Sequence, residues 1–373
     1  MLEKNGAKYY GASYSFIRFA GHRCIVVASS DLCLIHIGID DFDHQQYGCT
    51  THAATYLLHK LSEKFQILLP DYPNLVRLNP SIPWKTRGNG AVALRILLEC
   101  SRIGEAVEFC AQVLLEYQSI IDGLAGSLPS QDAEPGLIIA VDPIPRVMAR
   151  VYTMALTDVL LPSVVLEKLK RYENVYLLDA FKNRGVVGAS AAVGWFLVEG
   201  DYTYELLTYR SKRLYGVKRC IERSSVENFD VISGSDAFNT VDRESGRILI
   251  ESHGMDPVLY GVRGESPEVV KKALSIVRAC EPITAWTIFR SNQATDAHAV
   301  CRSIDELRIY TSSKLHVVIA SKPEVLPGGT VVVKAFDATG AIDLAFFKPS
   351  TLTEVALDLC VGDEAVVQGH VKP

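Results

Sequence analysis

Apolar residues run almost unbroken through 32–39 (LCLIHIGI) and stop at Asp40, the pattern of a strand buried on both faces. Beyond Gly48, Ala54, Leu57, Leu58, Leu61 and Phe65 recur at helical spacing, which predicts a helix over about 50–65. A short strand is predicted at 75–78, and the two prolines and two glycines of PSIPWKTRGNG predict a loop after it. A helix near 104–120, a strand at 136–141 (GLIIAV), a helix near 145–171 and a strand at 175–180 (VYLLDA) follow. Short strands at 247–251, 258–262 and 286–289 surround a helix at 267–280, with Ser266 as its N-cap and Pro267 in its first turn. The last part reads as strands near 315–320, 329–336 and 341–347, a helix near 351–360 and a strand near 364–371.

These elements predict a multidomain chain of mixed α/β and α+β class. Residues 1–30 are an extension with no clear period, and 31–208 form an α/β block. Residues 209–300 suit a split βαβ, ferredoxin-like unit, and 301–373 suit an OB-fold whose fifth strand is not found before Pro373.

Composition narrows the class. At roughly 150 residues per domain, 373 residues allow two or three domains. With 48% hydrophobic and 22% charged residues the chain is neither disordered nor fibrous. The longest mostly apolar stretch without charge, 186–198, falls short of the ~20 residues of a membrane-spanning helix. The N-terminus lacks the basic and apolar regions of an export signal, so the expected location is the cytosol. Nine cysteines, at 24, 33, 49, 100, 110, 220, 280, 301 and 360, are odd in number and scattered, with no CxxC pair. That spacing argues against both a disulfide framework and a zinc ribbon. A net charge of -5 means that any polyanion-facing surface is local. Arg210, Lys212, Arg213, Lys218, Arg219 and Arg223, opposed only by Glu222, give 210–223 a charge of +5. This run is either an RNA-facing surface or a solvated helix face.

Candidate chemistry gathers at four places. Asp40, Asp41 and Asp43 follow the first strand at its C-terminal end, where open α/β sheets bind ligands. Three close carboxylates suit magnesium with substrate phosphates, or else form an acidic turn before the helix. Gly48, Cys49, Thr50 and Thr51 open that helix, where free N–H groups favour an anion and a threonine is an N-cap or a phosphate-handling group. In RLNPSIPWKTRGNGAV, Arg77, Asn79, Lys85, Thr86, Arg87, Gly88, Asn89 and Gly90 converge cations and backbone amides as a triphosphate needs, without being a P-loop. The glycine-rich stretch 183–194 either wraps a nucleotide or permits close packing. His52 and His59 read as surface residues, not metal ligands, and no GxSxG elbow occurs. SHGMDPVLYGVRGE gathers His253, Asp256, Arg263 and Glu265, and FRSNQATDAH gathers Arg290, Asn292, Gln293, Asp296 and His298. The carboxylates of Asp256, Glu265 and Asp296 would suit a small amine.

Taken together, GIDDFD…GCTT, VRLNPSIPWKTRGNGAV, SHGMDPVLYGVRGE, FRSNQATDAH and DYTYELLTYR, spread over about 340 residues, resemble the archaeal tRNA(isoleucine) 2-agmatinylcytidine synthetase family. The resemblance implies a kinase-like ATP-binding domain, a ferredoxin-like domain, an OB-fold and a zinc ribbon. It implies phosphorylation of the C2 oxygen of a wobble cytidine by ATP, then displacement of the phosphate by agmatine, with ATP converted to AMP and phosphate. Asp40, Asp41 and Asp43 would then hold magnesium, Thr50 would be the phosphorylated threonine, and Arg77, Lys85 and Arg87 would grip the triphosphate. The chain departs from the family in reading GIDDFD for GIDDTD, in lacking the zinc ribbon and in lacking the last OB strand. A partner protein replacing the ribbon, a shortened chain, and a diverged homologue that only binds nucleotide or RNA all fit these departures. A small-molecule kinase or ligase is a further reading.

Overall fold

The computed structural model describes residues 31–44, 47–126, 133–198, 202–242, 246–252, 254, 256–292, 300–348 and 350–372. The chain divides into two compact units. The first comprises 1–78, 84–155 and 160–293, and the second comprises 79–83, 156–159 and 294–373. No helix among the described residues is long and apolar enough to cross a membrane.

The first unit begins with β1 (Leu32–Asp40), α1 (Thr50–Lys64), β2 (Asn74–Arg77), β3 (Gly90–Glu99) and α2 (Ile103–Ala125). It continues with β4 (Gly136–Val141), α3 (Arg146–Ala155), α4 (Pro162–Leu169), β5 (Val175–Lys182) and α5 (Val186–Gly194). Then come β6 (Tyr202–Tyr209), α6 (Arg223–Ser233), β7 (Ala237–Phe238), β8 (Val258–Gly264), α7 (Pro267–Ile276) and β9 (Ala285–Asn292). All nine strands join one sheet in the order β5-β4-β1-β3-β2-β9-β6-β8-β7, antiparallel except where β2 meets β9.

Two apolar clusters back this sheet. Ile35, Ile37 and Ile39 of β1 and Leu94, Ile96 and Leu98 of β3 pack with Leu57, Leu58 and Leu61 of α1 and Leu114 of α2. Leu206, Leu259 and Val262 pack with Val226 and Phe229 of α6 and Val270 and Ala273 of α7. The 183–194 stretch settles as close packing: α5 is buried almost throughout, and a Cβ on Gly188 would overlap the Asp40 carboxylate.

The second unit contains β10 (Val300–Cys301), β11 (Ser312–Ile319), β12 (Glu324–Val325), β13 (Val331–Phe336), β14 (Ala341–Phe346), α8 (Leu352–Leu357) and β15 (Glu364–His370). They form a sheet in which β11 pairs β10, β13 and β15, and β13 also pairs β12 and β14. Leu315, Val317, Ile319, Val331, Val333 and Ala356 form its core.

Several expectations change. The expected helix at 145–171 is two, because Pro162 has no N–H for a helix interior and instead starts α4. GAVALRILLE is a strand, β3, continuing directly from the loop's last glycine. Segment 247–251 makes only the isolated bridges Val241↔Ile248 and Glu251↔Tyr260, and α6 has no counterpart among the expected elements. A division at 208/209 would sever β6 from β8 and β9, its two sheet neighbours.

The cysteine reading also changes. Cys33 pairs with Cys100, and Cys220 pairs with Cys280, across 67 and 60 residues of sequence. The β1/β3 register brings Cys33 beside the end of β3, a proximity that scattered spacing cannot reveal. Cys49, Cys110, Cys301 and Cys360 are free thiols.

Candidate functional site

A cavity of about 370 Å³ lies in the first unit, lined by residues of the turn after β1, the start of α1, β2, the 87–90 loop, β6, β8 and the segment 249–258. Asp43, Thr50, Thr51, Arg77, Arg87, Gly88, Gly90, Asp256 and Arg263, all candidates from the sequence, line it. These residues come from separate stretches of the chain, so the fold assembles the site.

Thr50 is the first residue of α1, and its hydroxyl donates to Asp43 Oδ2 at 2.8 Å while accepting from the Phe42 N–H at 3.2 Å. Cys49, not Thr50, is the N-cap residue, so the hydroxyl is turned to a carboxylate instead of capping its own helix. The Phe42 ring points into the core, against Tyr117 and Phe181. Gly48 is required by closeness: a Cβ there would lie 2.8 Å from the Phe42 carbonyl oxygen.

Arg87 ties the parts together. Its guanidinium pairs with Asp43 Oδ1, donates to the carbonyls of Gly48 (2.9 Å) and His44 (3.1 Å), and reaches Asp256 Oδ2 at 3.0 Å. Burial works against its charge, but Asp43, Cys49 and Asp256 hold it above the usual guanidinium value. Asp256 is buried and is held a second time by Arg219, at 2.6 Å. Arg77 forks onto Glu205 at 3.0 and 2.8 Å, and Arg263 approaches the same carboxylate at 3.5 Å. Burial pushes the Glu205 carboxyl up, but Arg77 and Arg263 outweigh it and hold it low. Glu205 is a site residue that sequence reasoning misses; its signal is an acid set between Tyr204 and Leu206 in DYTYELLTYR.

The acidic turn is built differently from a three-carboxylate cage. Asp41 adopts a left-handed φ of 61° and accepts from Arg184 at 3.0 and 2.7 Å, while Asp43 faces Arg87 and Thr50. Among the described residues no three potential ligands converge as a metal cluster, so the expected Asp40, Asp41 and Asp43 triad is not formed. Burial, then the charge of Asp41, with Asp43 adding to it, pushes the Asp40 carboxyl well above its ordinary range. An ionised Asp40 therefore calls for a nearby cation, and magnesium needs only one or two carboxylates beside substrate phosphates. Of the three aspartates Asp43 lines the cavity, while the Asp40 carboxylate lies against Gly188.

Other candidate residues have different roles. Asn79 lies in the second unit, where its amide donates to the carbonyls of Tyr310 (2.7 Å) and Asp158 (3.3 Å). Asn292 clamps the β2 backbone, accepting from the Arg77 N–H at 2.7 Å and donating to the Arg77 carbonyl at 3.0 Å. Both amides are thus engaged by backbone. Lys85 is exposed, and it, Thr86 and Asn89 sit outside the cavity wall, as does the exposed Glu265. His253, Gln293, Asp296 and His298 lie outside the described residues.

The basic run also divides. Arg210 is buried and forks onto Glu281 at 2.9 and 2.5 Å. Arg219 is buried and donates to the carbonyls of Val258 (2.6 Å), Ser252 (3.0 Å), Gly254 and Asp256 (2.9 Å). Neither can meet RNA, because a guanidinium surrounded by its own chain has no face to offer a phosphate. Lys212, Arg213 and Lys218 are exposed. His52 is not a surface residue: its Nδ1 lies 3.0 Å from the Tyr117 hydroxyl, its ring packs on Tyr209, and burial lowers its pKa to about 3.

Known proteins resemble both halves of this arrangement. The family descriptions "TiaS TCKD domain" and "TiaS FLD domain" match residues 36–107 and 183–298. TiaS of Ignisphaera aggregans, a 2-agmatinylcytidine synthetase for an isoleucine tRNA, is 53% identical over 346 residues, 92% of this chain and 75% of its own length. The TiaS of Staphylothermus marinus is 37% identical over 345 residues, 91% of this chain and 74% of its own. Among solved structures, a complex of TiaS with its isoleucine tRNA and ATP matches with a TM-score of 0.80 at 31% identity, covering 91% of this chain and 78% of that one. A complex of TiaS with the same kind of tRNA, AMPCPP and agmatine matches with a TM-score of 0.78 at 30% identity, covering 91% and 80%.

Proposed function

Because the chain belongs to the tRNA(isoleucine) 2-agmatinylcytidine synthetase family, we propose that it forms 2-agmatinylcytidine at the wobble cytidine of an isoleucine tRNA, using ATP and agmatine. It is a ligase that makes a carbon–nitrogen bond and serves AUA decoding. The observation that carries this reading is the continuous chain Thr50–Asp43–Arg87–Asp256 inside one cavity, made from the same motifs that carry the family resemblance.

Phosphoryl transfer needs positioning and charge neutralisation more than covalent chemistry. Arg77 and Arg87, each ion-paired with a carboxylate, place guanidinium groups on the cavity wall, and the Thr50 hydroxyl, already donating to Asp43, has a carboxylate beside it to take its proton. Magnesium brought with the nucleotide would be met by Asp43, the aspartate of the acidic turn that lines the cavity, and would supply neutralisation of phosphate charge when bound. After the cytidine C2 oxygen is phosphorylated, the unprotonated amine of agmatine attacks C2 and phosphate leaves.

The strand order β9-β6-β8-β7 with α6 and α7 supports a ferredoxin-like second half, and β11, β13, β14, α8 and β15 support an OB-fold. The α/β half is then the kinase-like part, and Lys212, Arg213 and Lys218 are the RNA-facing remnant of the basic run. A tRNA substrate is consistent with a cytoplasmic location.

The test is mass spectrometry of isoleucine tRNA after incubation with the protein, ATP, magnesium and agmatine. Agmatidine in the wild-type reaction and none with Thr50→Ala is the expected result. An unmodified wobble cytidine in the wild-type reaction, beside a working relative, overturns the proposal in favour of a homologue that only binds nucleotide or RNA.

A further inference from the structure

The two disulfides among the described residues stand in different settings. Cys33 and Cys100 are half-buried, whereas Cys220 and Cys280 are both exposed. A small thiol therefore has direct access to the second bridge, and exposed disulfides are the readily exchanged ones. This bridge also flanks the cavity wall. Arg219, the residue before Cys220, is buried and donates to the Asp256 carboxylate and to the carbonyls of Ser252, Gly254, Asp256 and Val258. Glu281, the residue after Cys280, takes the fork of Arg210, whose own backbone N–H donates to the Pro257 carbonyl at 3.0 Å. Each half-cystine is thus next to a residue that holds 252–258, the stretch that gives Ser252, Asp256 and Val258 to the cavity.

Beside the bridge, the two cysteine segments are joined by groups at the surface. The Cys280 N–H donates to the Cys220 carbonyl at 2.9 Å, the Glu222 N–H donates to the Arg278 carbonyl at 2.8 Å, and the exposed side chains of Arg278 and Glu222 pair at 2.7 Å. Exposed backbone bonds open easily and exposed ion pairs hold weakly, so the covalent tie carries the join. Burying a guanidinium costs hydration, so Arg219 regains water when the segment before Cys220 is released.

We propose that Cys220–Cys280 is a thiol–disulfide exchange site, at which a low-molecular-weight thiol opens the bridge and loosens the 252–258 wall of the cavity. The incoming thiolate attacks Cys280 Sγ, the S–S bond breaks, and Cys220 leaves as a thiolate. Lys218 and Arg219 beside it favour that leaving group. A second small thiol attacks the mixed disulfide and releases Cys280. Two small thiols become one small disulfide, and the two electrons and two protons they give up leave Cys220 and Cys280 as thiols. Without the tie, Arg219 exchanges Asp256 for water and the wall loses its clamp. The effect on catalysis rests on the reading of the site as a synthetase; the loosening of the wall does not.

The experiment equilibrates the full chain with graded mixtures of reduced and oxidised glutathione, traps free thiols by alkylation and assigns each cysteine by peptide mapping. Hydrogen exchange reads the wall through the amides of Arg210, bonded to the Pro257 carbonyl, and of Val258, bonded to Asp256 Oδ1 at 3.2 Å. Cys220–Cys280 should open in mixtures that leave Cys33–Cys100 closed, and both amides should then exchange about five- to a hundredfold faster, while those of β1 do not change. Agmatidine formation should fall in the same mixtures. The double variant Cys220→Ser, Cys280→Ser should match the opened wild type in every mixture. A Cys220–Cys280 pair that does not form in oxidised glutathione overturns the proposal, as does opening of Cys33–Cys100 first. So does an unchanged exchange of the Arg210 and Val258 amides once the bridge is open, a result the wild type gives without any variant. Faster wall exchange in a chain whose oxidised form makes no agmatidine supports the exchange site and defeats only the synthetase reading. Agmatidine formation with wall exchange indifferent to the bridge defeats only the exchange site.

Discussion

Arg219 donates from Nη2 to Asp256 Oδ1 at 2.6 Å, and both side chains are 3% exposed. The same guanidinium reaches four carbonyls of the segment 252–258, so it shapes the wall of the cavity from behind. Removing it leaves a buried carboxylate with one partner fewer and four carbonyls without a donor. Arg219→Ala is expected to cost about 3–5 kcal/mol, read from denaturant unfolding. Arg213→Ala, at an exposed position of the same run, should stay within about 0.5 kcal/mol of wild type yet weaken tRNA binding and reduce its salt dependence. Equal stability of the two variants would contradict the division of the basic run.

Gly188 lies against the Asp40 carboxylate with no room for a methyl group. Gly188→Ala must displace α5 or Asp40, so a destabilisation of about 1–3 kcal/mol and a loss of agmatidine formation are expected. Gly123, on the exposed side of α2 with nothing within 4 Å of its position, is the control. There alanine should stabilise by about 0.5–1 kcal/mol. Thermal unfolding and tRNA modification of the two variants decide the point.

Burial lowers the pKa of His52 to about 3, from an ordinary value of 6.5, with Lys212 adding to the effect. Tyr117, Tyr209 and Tyr215 surround the ring and stay neutral through this range. Unfolding exposes the imidazole, which then takes up a proton below pH 6.5, so the unfolded state binds more protons than the folded one. Stability therefore falls as pH drops from 6.5 toward 3, with a limiting slope from this residue of about 1.4 kcal/mol per pH unit. His52→Gln should flatten that fall by one proton's worth in urea unfolding between pH 4 and 7. An unchanged slope would place the proton elsewhere.

The Cys33–Cys100 bridge closes a 67-residue separation between the start of β1 and the end of β3. Chain-entropy reasoning gives it roughly 4 kcal/mol. Cys33→Ser, or full reduction, should lower the unfolding temperature by an amount matching that loss, and non-reducing peptide mapping should recover the linked pair. A fully reduced chain of unchanged stability would refute it.

Much of the local structure is legible in the sequence. Apolar runs and turn residues mark β1, β4, α1 and α7, and the second unit's strands fall close to their expected bounds, because short-range periodicity suffices for half-buried elements. Ser266 caps α7 as expected, its hydroxyl accepting from the Val269 N–H at 3.3 Å. The break at Pro162 and the strand β3 escape such reading, the first because apolar periodicity persists across the proline, the second because a loop motif runs straight into the strand.

The site divides along the same line. Residue types and motif order alone point to Asp43, Thr50, Arg77, Arg87, Asp256 and Arg263 as chemistry-bearing, since charged and small residues clustered at strand ends have few structural uses. Which of them face one another depends on β6 and β8 joining the same sheet as β1 through β2 and β9, and β2 meets β9 across more than two hundred residues of sequence. That pairing gives Arg77 to Glu205 and Arg87 to Asp43 and Asp256, and turns Arg210 and Arg219 inward. A sequence carries charges, but only the packed sheet decides which are already neutralised, because neutralisation depends on distance and burial in three dimensions.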